Sequence, residues 1–401
     1  MIYFDNAATT EMSVRAIRKM TDIASACWGN PSSLHETGLR AEREVKTARS
    51  NVMSALGVKN AGGQLFFCGS GTEANNLAIL GCARAKKRTG KIIISDGEHA
   101  SIEEPVRLLE ESGFEIVRVP VKMGVLDIDF LKDALDQSVV LVSMMAVNNE
   151  TGAVYDLETA FAEVRKKCPD AVIHSDAAQG FLKVNVNPRK TGAHLVTISA
   201  HKIHGPKGVG ALYVDASVIR AKKIVPLIYG GGQESGFRSG TENVAAIASF
   251  GEAAAEFSER GIVSENEKKM TEVRDHLISK LESSGAVRRN RENLGDNPRG
   301  CIMLNLPEME HAPHIVNITL PNIKSEVMLH RLSADGICVS SGSACSSNSR
   351  KISRALTAFG LSPQSADCSV RVSFSEKNTF DEVDFFVERL TEAVSTLVKM
   401  R

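Results

Sequence analysis

Short apolar runs rich in β-branched residues recur along this chain: QLFFC at 64–68, KIIIS at 91–95, VVLVSMM at 139–145, AVIHS at 171–175, HLVTIS at 194–199 and VGALYV at 209–214. Runs that are apolar throughout, rather than alternating, suit strands covered on both faces. Helical-period stretches between them, such as TEANNLAILGCARAKKR, supply the cover, so the pattern predicts an α/β layer fold around a mostly parallel sheet. This large unit is read as residues 16–255. Beyond GGGQESGFRSGTENV a long charged helical stretch occupies about 252–284, an Arg-, Asn- and Gly-rich segment at 286–300 reads as a solvated loop, and HIVNITL at 314–320 reads as a strand. These predict a smaller α+β unit over 256–401, with residues 1–15 packing near it. At 401 residues the chain is long enough for two such bodies.

Lys plus Arg and Asp plus Glu balance at 48 each, so no global field draws the chain to nucleic acid or to an anionic membrane. The start MIYFDNAATTEMS has no signal-peptide pattern and no stretch reaches about 18 consecutive apolar residues, which predicts a cytoplasmic protein without a membrane span. Eight cysteines without a CxxC pair read as free thiols in a reducing compartment, with no metal site expected. Seven of them are read so, since a buried free Cys behaves as a small hydrophobe and most of these sit among apolar residues; Cys345 is the exception.

In SAHKIHGPKGVGALYV at 199–214, Lys202 follows a buried strand and precedes a glycine-rich turn. Most lysines are solvated, but desolvation at the mouth of a sheet lowers an amine's pKa and frees it to form a Schiff base. Three other segments favour that chemistry. In HSDAAQG at 174–180, Asp176 ends a strand at the edge where open α/β folds bind ligands, and an acid there could keep a pyridine nitrogen protonated; it could equally cap a helix. In CGSGTEANNLAI at 68–79, the N–H groups of Gly71 and Thr72 at a helix start, with the Thr72 hydroxyl, would cradle a phosphate, without a Walker A or GxGxxG pattern. In SDGEHAS at 95–101, His99 follows a strand at the same edge, where it could be structural or could stack on a ring and move protons.

With these motifs in place, the chain resembles the fold-type-I, class V aminotransferase superfamily of pyridoxal-phosphate enzymes, and within it the cysteine desulfurases. The resemblance runs from FDNAATT at 4–10 to SVRVSFS at 369–375. It implies that Lys202 carries pyridoxal 5'-phosphate, that Asp176 pairs with the ring nitrogen and Gln179 with the ring hydroxyl, and that His99 stacks on the ring as acid and base. It further implies that Thr72, Ser199 and His201 hold the phosphate with the Gly71 backbone, while Thr241 in RSGTENV reaches the phosphate of a partner subunit in a homodimer. Asn149 in VNNETG, Asn30 in WGNPSS and Arg371 in SVRVS would hold the substrate's carboxylate or position it against the ring.

The segment VSSGSACSS at 339–347 resembles the desulfurases with a long cysteine loop. Small residues around Cys345 suit a thiol that travels between cofactor and acceptor. The implied reaction takes sulfur from L-cysteine, leaving alanine and a persulfide on Cys345 for an acceptor protein, such as an iron-sulfur scaffold or a tRNA-thiolation enzyme. A selenocysteine lyase or a class V transaminase on the same scaffold is the nearest alternative, and a non-catalytic sulfur-relay protein a more distant one. The basic NSRKISRAL and the polar stretch 286–312 depart from the family's pattern, which leaves the acceptor open.

Overall fold

The computed structural model describes residues 1–58, 62–284, 287–289, 301–342 and 352–399. Among the described residues a central sheet has seven strands: β1 (Gln64–Cys68), β2 (Lys91–Ser95), β3 (Glu115–Val119), β4 (Val139–Ser143), β5 (Val172–Asp176), β6 (Leu195–Ser199) and β7 (Gly210–Val214). Their spatial order is β1-β7-β6-β5-β4-β2-β3. Only β7 runs antiparallel to its neighbours, so the sheet is mostly parallel, as the apolar runs predict. Successive side chains turn to opposite faces of a strand. Phe67, Ile93, Val142, Ile173 and Ile198 enter one core, while Phe66, Ile92, Leu141, Val172 and Leu195 enter the other. The helices Glu36–Ala55, Leu157–Lys167 and Val244–Phe257 cover the first face, and Gly71–Arg84 and Ala100–Glu111 the second.

A second sheet joins β8 (Val287–Arg289), β9 (Ile302–Leu304), β10 (Ile315–Thr319) and β11 (Ser369–Ser373) in that order. Helices Ile262–Ser283 and Phe380–Lys399 and the residue Phe4 contribute to its separate core. Ile2–Tyr3 pairs in parallel with Ile337–Cys338, which carries the N-terminal segment across to this body.

Four expectations are corrected. β3 was missed because EIVRV lies at the sheet edge and buries only Val119, so it lacks a continuous apolar run. Val287–Arg289 is not loop: its backbone pairs in parallel with Ile302–Leu304. The charged stretch at 252–284 is two helices, Val244–Phe257 and Ile262–Ser283, separated at Gly261, whose φ of 89° takes it out of helical space. Asp176 caps no helix, since residues 178–183 form consecutive turns.

Because β7 is reversed, its first residue, Gly210, lies at the carboxyl ends of its neighbours, paired with Cys68 and Ser199. A Cβ on Gly210 would stand 2.6 Å from the Ser70 carbonyl carbon and 2.7 Å from the Gly71 nitrogen, so the start of helix Gly71–Arg84 rests directly on this glycine. Gly210→Ala is expected to displace that helix start at a cost of roughly 2 kcal/mol, read as a lower urea midpoint. A stability equal to wild type would contradict this packing.

Candidate active site

Four carboxyl ends meet at one edge of the central sheet. β1 leads through Ser70 into helix Gly71–Arg84, β2 leads to His99, β5 ends at Asp176, and β6 ends at Ser199 before the short turn bearing Lys202. A cavity of about 200 Å3 lies there. Ten predicted residues line it: Gly71, Thr72, His99, Asn149 and Asp176, and also Gln179, Ser199, His201, Lys202 and Arg371.

Lys202 Nζ donates to the carbonyls of Ala7 at 2.6 Å and Ala8 at 2.8 Å. Gln179 Nε2 donates to the same Ala7 carbonyl at 2.8 Å, and Gln179 Oε1 accepts from His314 Nε2 at 3.2 Å. The N-terminal segment therefore forms a wall of the cavity, a role that backbone carbonyls perform and no side-chain motif announces.

Asp176 is held at both oxygens: Oδ1 accepts from the Ala178 N–H at 2.9 Å, and Oδ2 from Asn75 Nδ2 at 2.7 Å. Asn75 Nδ2 also donates to Ser101 Oγ at 2.8 Å, and Ser101 Oγ lies 2.8 Å from His99 Nδ1. His99 Nδ1 further accepts from the Ser101 N–H at 3.2 Å, closing the start of helix Ala100–Glu111. With Nδ1 engaged as acceptor, the network assigns the ring proton to Nε2. Burial pushes the His99 pKa down, Lys202 and Arg371 add to that, and Asp176 opposes it, so the imidazole is neutral. Sequence reasoning missed Asn75 and Ser101. Their signal was a polar residue on the buried face of an otherwise apolar helix and a serine two residues past His99.

At the other end of the cavity, the helix Gly71–Arg84 opens with its first N–H groups lacking intrahelical acceptors. Its N-cap is Ser70, whose Oγ accepts from the Glu73 N–H at 3.1 Å, and Thr72 in the first turn lines the cavity. His201 Nδ1 lies 3.2 Å from Thr9 Oγ1, and burial with the nearby lysines pushes its pKa down to about 4.

Arg371 reaches the site from β11, its side chain only 2% exposed. Nη1 donates to the Asn149 carbonyl at 2.8 Å and Nη2 to Asp5 Oδ1 at 3.0 Å, whereas the buried Nε has no protein acceptor among the described residues. Two predicted residues are not brought to the cavity lining. Asn30 is exposed in the turn before helix Glu36–Ala55, where its Oδ1 accepts from the Ser32 N–H, so it does not meet the substrate space of its own chain. Thr241 is likewise exposed. Cys345 falls outside the described residues.

The family described as Aminotransferase class-V matches residues 2–386. The chain belongs to the class V aminotransferase family. A curated relative named cysteine desulfurase IscS, from Dictyoglomus turgidum, is 35% identical over 99% of this chain and 96% of its own. A solved NifS-like protein superposes with a TM-score of 0.86 at 33% identity, covering 98% of this chain and 99% of that one. A structure titled SspA in complex with cysteine matches with a TM-score of 0.76 at 29% identity, over 94% of this chain and all of that one, 100%.

Members of this family depend on pyridoxal 5'-phosphate, and the donor set here fits it. Lys202 would offer an amine to the aldehyde, Asp176 a carboxylate to the pyridine nitrogen, and a helix N-terminus with Thr72, Ser199 and His201 would face the phosphate. The orphaned Arg371 Nε leaves one buried donor for a further acceptor.

Two outcomes are expected. Asn75→Ala removes one of the two donors on Asp176 and cuts the link to Ser101; a loss of about 1–2 kcal/mol should appear as roughly tenfold weaker cofactor binding by equilibrium dialysis. Unchanged affinity would mean that the Ala178 N–H alone holds the carboxylate. The second concerns acid. Burial depresses His174 to about 4, so the folded state keeps it neutral while the unfolded chain takes up a proton near its ordinary value of about 6.5. Its contribution is intact above pH ~6.5 and is lost as pH falls towards about 4, by roughly 3 kcal/mol. Urea midpoints measured down this range should fall, and less steeply in His174→Gln.

Proposed function

We propose that this class V aminotransferase family member is a cysteine desulfurase, taking sulfur from L-cysteine to Cys345 and releasing L-alanine. The observation that carries the reading is where the chain enters and leaves the segment bearing Cys345. Ser340 exchanges backbone hydrogen bonds with Arg371, at 3.2 and 2.7 Å, and Ser353 Oγ donates at 2.7 Å to Glu150, the residue after Asn149. The described chain on either side of that segment, at Ser340 and at Ser353, therefore lies against Arg371 and Glu150, beside the residues that would hold the substrate.

In this reading Lys202 carries the cofactor, Asp176 and Gln179 hold its ring, and Gly71, Thr72, Ser199 and His201 hold its phosphate. Bound pyridoxal phosphate supplies an electron sink next to the substrate's amine. Arg371 binds the substrate carboxylate, which gives its buried Nε the acceptor it lacks, and Asn149 lies alongside. Lys202, once released from the cofactor, moves protons at the substrate carbon, with the Ala7 and Ala8 carbonyls as the resting place of its ammonium. His99 presents a donor at Nε2, which suits the acid half of its role better than the base half, since Nδ1 is already engaged. An unperturbed thiol is only a few per cent thiolate at neutral pH, so Cys345 must lose a proton before attacking the substrate sulfur. The exchange balances: cysteine and the Cys345 thiol become alanine and a Cys345 persulfide, which then passes to an acceptor protein such as an iron-sulfur scaffold.

A homodimer completes the proposal. Trp28, Leu34 and Tyr229 are 76%, 90% and 73% exposed; Trp28 and Leu34 flank Asn30 in sequence, and Tyr229 follows Ile228, which bridges to Arg238, three residues before Thr241. A second copy covering this apolar surface would bury them and bring Thr241 to its partner's phosphate. The free thiols of Cys27, Cys68, Cys82 and Cys168, all buried, support the cytoplasmic placement. The division into 16–255 and 256–401 remains part of the proposal and is supported by the two separate cores.

The test uses two variants. Lys202→Ala is expected to leave no borohydride-trapped cofactor and to lower alanine formation by at least about a thousandfold. Cys345→Ser should keep the cofactor absorbance and its response to L-cysteine while alanine and sulfide production stop. A trapped adduct on Lys207, or alanine at the wild-type rate from Cys345→Ser, would refute the assignments.

A further inference from the structure

Lys183 is a buried amine that the proposed mechanism leaves unused. It ends the run of turns that follows Asp176, its backbone N–H bonded to the Gly180 carbonyl at 2.9 Å. The whole residue is 8% exposed, and its Nζ donates at 2.7 Å to the backbone carbonyl of Lys202. The turn that follows the acid of β5 is thus tied by one side chain to the turn that carries the lysine after β6. Lys183 and Lys202 also both line a second, small cavity of about 20 Å3, with Thr10, His204 and Glu376 among its other walls.

Few groups balance the amine's charge there. Lys202 acts against it and Glu376 for it, while Glu376 is itself engaged 3.2 Å from His204 Nε2, and His204 stacks on Phe257 with ring centroids 4.7 Å apart. His314 and His201 also feel the Lys183 charge, and both stay neutral in their buried settings. A permanently charged ammonium in such a place is costly, and removing water from it is the largest single cost. Burial first, then the Lys202 charge, push the Lys183 pKa down to about 7, with Glu376 opposing.

We propose that Lys183 is a positioning residue for Lys202: its amine fixes the carbonyl of the cofactor-bearing lysine, and its protonation is set against that of the Lys202–cofactor linkage. The inference rests on the reading of Lys202 as the residue that carries pyridoxal phosphate. Above pH ~7 a neutral Lys183 still donates its hydrogen bond without placing a second positive charge behind Lys202; below it, the two cationic groups oppose each other. Lysine serves where arginine would not, because only lysine changes charge in this range.

The test follows the absorbance of the lysine–cofactor linkage against pH in wild type, Lys183→Met and Lys183→Arg, each reconstituted with pyridoxal phosphate. The wild-type curve should carry an inflection near pH 7 from Lys183, which Lys183→Met lacks. Below pH ~7, where Lys183 carries a charge in wild type, the linkage in Lys183→Met should be protonated to a larger extent, because a like charge is gone. Its kcat should fall about tenfold with KM for L-cysteine within about twofold, since alignment is lost and substrate binding is not. Lys183→Arg, cationic throughout, should move the linkage proton to lower pH, and it decides the matter if Lys183→Met does not fold. Coincident curves for the folded proteins over a normal absorbance band overturn this inference alone. A wild type with no such band overturns the desulfurase reading, and this inference with it.

Discussion

Covering both faces of the central sheet leaves its strands only their ends at which to present polar chemistry. Apolar residues of β1, β2, β4, β5 and β6 fill two cores at once, so Ser70, His99, Asp176 and Lys202 all emerge at one carboxyl edge. The reversed strand β7 contributes by having no side chain at its first residue. Gly210 lets the backbone of Ser70 and Gly71 settle against the sheet, and the helix dipole is thereby aimed at the cavity.

Within that edge, electrostatics are arranged by burial more than by ion pairs. His99, His174, His201 and His314 all have lowered pKa values because removal from water is the largest influence on each. Neutral imidazoles can then act as directional hydrogen-bonding groups, as His174 does between Ser143 Oγ at 2.8 Å and Thr197 Oγ1 at 3.0 Å. The charges that remain are fixed by neighbours: Asp176 by Asn75 and Ala178, and Arg371 by Asp5 and Asn149. A carboxylate whose hydrogen-bond partners are in place beforehand costs little reorganisation when a cationic ring arrives.

The second body and the N-terminal segment complete a site that the central sheet cannot close alone. β11 delivers Arg371, and residues 5–8 run between the two bodies: Asp5 receives Arg371, and Ala7 receives both Lys202 and Gln179. Every one of these contacts joins residues far apart in sequence, so the cavity exists only when the two sheets and the N-terminal segment are assembled together.

What the sequence determined by itself was the local grammar. Continuous apolar runs located six of the seven described central strands, because a strand buried on both faces must be apolar at every position; β3, half-exposed at the edge, had no such requirement and was missed. Residues at strand ends were legible for the same reason, which is why the sequence alone puts Lys202, Asp176 and His99 at one sheet edge. Tertiary structure decided what depends on distance through space. Asn75 joins Asp176 to Ser101 across a separation of 101 residues to one partner and 26 to the other, and Lys183 meets Lys202 through a backbone carbonyl. Asn30, plausible from its motif, lies outside its own chain's cavity. A hydrogen bond to a backbone carbonyl leaves no mark in residue identity, and periodicity reports only which face of an element is buried. Which buried groups meet is set by how the elements pack.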